Sequence, residues 1–276
     1  MALTDPQTLL SWLLPLLAAT GLIAGLLAGL LGVGGGIVIV PMLYYVFSYL
    51  EIPEAVRMHL AVGTSLATIN VTSIRSVLAH HDRGSFDRDI FRDWVPGITA
   101  GVLAGTWLAT LANFDTLLLV FGFVALLVAL HMAFGRRDWH LHRAAPRGLA
   151  AWPVTLLIGA LSAMMGIGGG TLSVPVLSLC NVPIHRAVGT AAGFGLVIAL
   201  PATLGFIAGG WHANGLPPGS LGYVSLPGFA VIAIATTLTA PLGARLAHAL
   251  DPEPLRRAFA LFLGLTALRM LADAFG

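Results

Sequence analysis

Two glycine clusters carry the spacing in this chain that points to chemistry. Gly34, Gly35 and Gly36 fall in "GLLGVGGGIVIVP" (29–41), and Gly168, Gly169 and Gly170 in "MMGIGGGTLSVP" (164–175). Glycine weakens a helix interior by about 1 kcal/mol relative to alanine, so each cluster predicts a break in an apolar segment. A short apolar leg follows each break, with Pro41 or Pro175 near its first turn, where a missing amide hydrogen costs little. Such a leg starts with free amides and the positive end of a helix dipole, for which an anion is the natural ligand. The plain alternative is that the glycines only let helices pack closely.

Hydroxyl and amide side chains accompany the clusters. Thr64, Ser65, Thr68, Asn70, Thr72 and Ser73 lie in the next apolar segment, and Thr190 in a later one. They could replace part of an oxyanion's hydration, or bond neighbouring helices. His59 and His185 each precede an "AVGT" motif by one turn and titrate near neutral pH, which would suit proton coupling or an interfacial role. Arg75, near the end of its segment, could draw anions into a vestibule or snorkel to lipid headgroups. The expected substrate-binding set is therefore Gly34, Gly35, Gly36, Gly168, Gly169, Gly170, Thr64, Ser65, Thr190, His59, His185, Asn70 and Arg75.

The acids map to loops and termini. Cation-coupled transporters commonly rely on carboxylates inside the bilayer, so this distribution favours an anion pathway. There is no G-x-S-x-G elbow and no H-E-x-x-H motif, so an enzyme is not expected, nor a metal site or cofactor.

The elements that must hold these residues are membrane helices. Of 276 residues, 57% are hydrophobic and 9% charged, against about a quarter charged in soluble domains. All 14 basic residues are arginine, balanced by 12 acids, with no basic patch interleaved with aromatics to suit nucleic acid. Cys180 is the single cysteine, which excludes an internal disulfide. No basic residue precedes the first apolar run, so no cleavable signal is expected.

Apolar segments are predicted near 8–31, 37–50, 59–80, 94–112, 116–134, 149–166, 170–180, 185–210, 224–246 and 255–274. The legs at 37–50 and 170–180 reach only about 15 to 21 Å, short of a comfortable crossing, and read as return legs of re-entrant hairpins. The arginine-rich loops, Arg83, Arg88 and Arg92 in one and Arg136, Arg137, Arg143 and Arg147 in the other, are placed in the cytoplasm by the positive-inside rule. The uncharged loop 212–225 and both termini then fall outside.

The chain repeats itself. "GLLAGLLGVGGGIVIVPML" (25–43) recurs as "GALSAMMGIGGGTLSVPVL" (159–177), and "HLAVGTS" (59–65) as "HRAVGTA" (185–191). "GTWLATLANFDTL" (105–117) echoes "GARLAHALDPEPL" (243–255). Five segments per half, an odd number, invert the second half relative to the first. The expected fold is an all-α polytopic membrane protein of two inverted repeats, 1–140 and 141–276, with glycine-broken re-entrant or discontinuous helices. That is the architecture of many secondary transporters.

With its two "GxGGG…VP" and two "AVGT" motifs, the sequence resembles the TauE/SafE family of sulfite and organosulfonate exporters over nearly its whole length. The resemblance implies transport of a small sulfur-containing anion, such as sulfite or sulfoacetate, across a bacterial inner membrane. It also implies binding at the glycine breaks and around Thr64 and Thr190. One departure is that the second repeat's loop before "AVGT" is shorter by eight residues. The expected partners are a small anion and membrane lipid, with room for a homodimer. A passive anion channel, an intramembrane enzyme or a non-transporting subunit are the alternatives.

Overall fold

The structure, a computed structural model, describes residues 6–31, 35–82, 85–135, 144–249 and 252–275. Within them the apolar segments fold as ten α-helices: α1 (Pro6–Leu31), α2 (Gly36–Tyr49), α3 (Glu54–Asp82), α4 (Arg88–Leu111), α5 (Phe114–Phe134), α6 (Trp152–Met165), α7 (Gly169–Leu179), α8 (Ile184–Gly209), α9 (Leu226–Ala249) and α10 (Pro252–Phe275). Six of these, α4, α5, α6 with the turn before it, α8, α9 and α10, are long and apolar enough to cross a membrane. The protein is an all-α, multi-pass membrane protein. α3 has 29 residues, but its run of Thr, Ser and Asn side chains dilutes its hydropathy. The segment read as an uncharged loop, 212–225, carries a short antiparallel ribbon, Ser220–Leu221 against Val224–Ser225.

α2 and α7 are the short legs expected after the glycines. At 14 and 11 residues they are about 21 and 16 Å long, well under the roughly 30 Å hydrocarbon core. Both end in the same way. Glu51 and Asn181 take left-handed φ values of 56° and 59°, and the following amide turns back, Ile52 to the Phe47 carbonyl at 3.0 Å and Val182 to that of Leu177 at 3.1 Å. This is a Schellman closure, which satisfies otherwise orphaned carbonyls. Pro53 and Pro183 then lead into α3 and α8, their carbonyls accepting from Val56 and Ala187.

The eight-residue difference between the repeats lies in helices and not in a loop. Relative to the first repeat, α7 is about one turn shorter than α2, and α8 begins about one turn closer to its "AVGT" motif than α3 does. His185 consequently falls in the exposed first turn of α8, whereas His59 lies deeper in α3 and is buried.

The helices pack in reciprocal pairs: α1 on α9, α6 on α4, α3 on α8, and α5 on α10. Small residues make the close pairs. On α4, a methyl group at Gly101 would stand 2.1 Å from the Leu156 carbonyl oxygen of α6, so only glycine allows that approach, as is common between helices in bilayers. α3 and α8 form the centre, with α2 and α7 laid against them. Phe194 of α8 stacks on Trp94 of α4, 5.8 Å between centroids, and the Trp94 indole N–H donates to the Pro146 carbonyl at 3.0 Å. Apolar side chains such as Leu127, Leu238 and Leu265 point outward, as a lipid-facing surface requires.

Candidate site at the paired helix breaks

The turn before α2 depends on Gly35, whose φ of 75° is left-handed. α6 stops at Gly166, φ 66°, and Ile167 N–H closes back on the Ser162 carbonyl at 3.0 Å. α7 restarts at Gly169 after Gly168. Gly35, Gly36 and Gly166 through Gly169 are all buried, and Gly170 half-buried. Irregular backbone of this kind survives at membrane depth only where protein or a water-filled cavity surrounds it.

The two breaks touch. A methyl group at Gly36 would stand 2.6 Å from the Gly166 carbonyl oxygen and 2.9 Å from Ile167 Cα, so the start of α2 lies directly on the turn between α6 and α7. Ser65 of α3 donates to that same Gly166 carbonyl at 2.7 Å. On the other side, Gly169 is pressed on Ala191, Phe194 and Gly195 of α8. A methyl at Gly195 would meet Ser73 Oγ of α3 at 2.5 Å and the Gly169 amide nitrogen at 3.7 Å. The start of α2 is thus held on the turn leading into α7, and the start of α7 on α8. Neither start has a side-chain cap, so each presents main-chain amides and a positive dipole end.

Two buried hydroxyls around this junction, Ser162 Oγ and Ser173 Oγ, have no hydrogen-bond partner within the protein, and further along α3 Asn70 Oδ1 has none either. Ser162 and Ser173 are fully buried. Ser162 is in the turn that ends α6. Ser173 is one turn into α7 on the face of Gly169, and because helical side chains tilt toward the N-terminus it leans back toward the break. Asn70 donates its amide to the Leu66 carbonyl at 3.1 Å and to Thr203 Oγ1 of α8 at 3.0 Å, with its oxygen left over. Buried polar groups are normally satisfied, so such a cluster calls for a ligand or water. The repeat held a signal for the two serines, which replace Ala28 and Ile39 of the first copy.

The remaining expected residues are placed differently. Thr64 Oγ1 accepts the Ser225 amide at 2.9 Å, and Thr190 Oγ1 accepts the Asp87 amide at 3.0 Å. Each threonine thus clamps the start of a helix from the other half of the chain, α9 or α4. Asp87 is buried; its carboxylate caps α4 through the amides of Asp89 and Ile90, at 3.1 and 3.2 Å, and pairs with Arg186 of α8. His59 Nε2 lies 3.0 Å from the Ala109 carbonyl, and its ring is tilted against that of Tyr223, 4.7 Å between centroids. His185 and Arg75 are exposed. Gly34 lies outside the described residues. Among the acids, Asp273 is in the last turn of α10 and not in a loop, accepting a bond from the Tyr44 hydroxyl at 3.1 Å.

Comparison with known proteins agrees with this architecture. The family described as "Sulfite exporter TauE/SafE" matches residues 17–270. A "Probable membrane transporter protein" of Haemophilus influenzae is 34% identical over 251 residues, covering 91% of this chain and 95% of that protein. Another, of Methanocaldococcus jannaschii, is 31% identical over 272 residues, covering 94% and 96%. No solved structure matches. With glycine-broken helices in both halves and a match spanning nearly its full length, the chain belongs to the TauE/SafE sulfite exporter family of membrane transporters.

Proposed function

We propose that the protein is a secondary transporter that exports a small sulfur-containing anion, sulfite, sulfoacetate or a related organosulfonate, across the bacterial inner membrane by alternating access. The carrying observation is the contact between the two breaks, where the uncapped start of α2 meets the turn leading into the uncapped start of α7, beside unpartnered buried hydroxyls. Amides at Gly35, Gly36 and Gly168 to Gly170, with the hydroxyls of Ser162 and Ser173 around them, suit an oxyanion: many donors and no fixed positive charge. Asn70, whose amide hydrogens are already donated, is left with an acceptor and is no ligand for it. Ser65 holds the turn that presents them.

The helix pairing supports two inverted repeats, 1–140 and 141–276, and the arginine-rich loops, by the positive-inside rule, support termini outside the cytoplasm. α1 on α9 mirrors α6 on α4, and Thr64 on Ser225 mirrors Thr190 on Asp87. Rocking one repeat against the other about the shared junction would expose it to each side in turn.

The test is efflux of labelled sulfite and sulfoacetate from proteoliposomes containing the purified chain. Saturable flux, inhibited by the other sulfur anion and not by chloride, is expected. Single-channel current, or no flux of either anion, would contradict the reading.

A further inference from the structure

A second feature lies away from the breaks, on the outer seam between α5 and α10. A cavity of about 300 Å³ is walled by Leu130, Leu261, Leu265 and Leu268, floored by Ala129 and Gly264, and bounded at one end by Arg257. The four leucines are 46 to 65% exposed, so the groove faces the lipid.

Gly264 is not needed for helix packing. A methyl group there would meet only Ala129 Cβ, at an ordinary 3.7 Å. On the same seam a methyl at Gly122 would collide with Leu271 at 2.6 Å. The glycine at 264 therefore deepens a groove where the glycine at 122 permits contact. The groove's charged end is also defined. Arg256 donates to the Gly135 carbonyl at 3.0 Å, bringing the start of α10 beside the end of α5. Arg257 is exposed there, and in the sequence Gly135 runs on into Arg136 and Arg137.

We infer that this groove binds an anionic glycerophospholipid, with one acyl chain lying over Gly264 and its phosphate at Arg257. An apolar trough ending in arginine at a helix terminus matches a lipid with its chain in the hydrocarbon and its charge in the headgroup layer. A second copy of the chain fits less well. A two-fold axis along the membrane normal through this seam would bring the two Arg257 side chains toward each other.

Native mass spectrometry of the purified protein with phosphatidylglycerol or phosphatidylcholine of matched chains tests the assignment. Phosphatidylglycerol is expected to be retained roughly fivefold over phosphatidylcholine, the worth of one arginine at an anionic surface. Arg257→Gln should reduce that preference to near unity. Gly264→Leu should fill the trough and release both lipids; if it fails to fold, Gly264→Ala, whose methyl fits, should still reduce retention. Equal retention of the two lipids by the unaltered protein, or a preference that survives the variants, overturns the assignment. So does a dimer that Gly264→Leu converts to monomer with no lipid involved.

Discussion

Ser65 Oγ lies 2.7 Å from the Gly166 carbonyl oxygen and donates to it, so a side chain on the long α3 holds the turn at which α6 gives way to α7. Gly36 packs on the same carbonyl, and one hydroxyl thereby fixes the relative position of both breaks. Ser65→Ala would leave this fully buried carbonyl without its partner, at about 1–3 kcal/mol. A lower thermal midpoint in detergent, together with slower anion efflux, is the expected result.

Thr64 and Thr190 act as clamps between the halves, each accepting a main-chain amide at a helix start. Thr64→Val and Thr190→Val keep the shape but remove the acceptor, and each should destabilise by about 1–3 kcal/mol. Calorimetry should record the loss, while the KM of the remaining folded transporter stays the same. A changed KM at unchanged stability would make these threonines ligands of the anion.

Asp87 has two separable roles. Its pairing with half-exposed Arg186 is worth under about 1 kcal/mol and is screened by salt. Its capping of the Asp89 and Ile90 amides survives in asparagine. Asp87→Asn should therefore cost little, and nothing at high salt, whereas Asp87→Ala should cost about 0.5–2 kcal/mol more. Thermal unfolding of both variants at two ionic strengths checks the difference.

The parts of the fold that depend on local chain chemistry could be read in the sequence. The legs predicted at 37–50 and 170–180 are α2 at Gly36–Tyr49 and α7 at Gly169–Leu179, because glycine breaks a helix within a few residues of itself. Pro41 and Pro175, expected near the first turn, fall in the second turn of their helices instead. What depends on distant partners could not be read. Nothing near Thr64 announces Ser225, and nothing near Gly101 announces Leu156; both contacts arise only when helices of the two halves pack across each other. The histidines illustrate the limit of the repeat. His59 and His185 match in sequence, yet α8 begins one turn closer to its motif than α3, which leaves one buried and the other exposed. Ser162 and Ser173 stand opposite Ala28 and Ile39 in the repeat, so identity between the halves does not mark them.

Efflux and stability measured together on Ser162→Ala plus Ser173→Ala test the junction most directly. Each change removes a fully buried hydroxyl that has no partner within the protein, so the thermal midpoint should hold or rise. If the hydroxyls bind the anion, kcat/KM for sulfite should fall at least about tenfold, since hydrogen bonds to charged groups contribute about 1.5–3 kcal/mol each. Undiminished sulfite efflux from the double variant would show that the anion passes elsewhere.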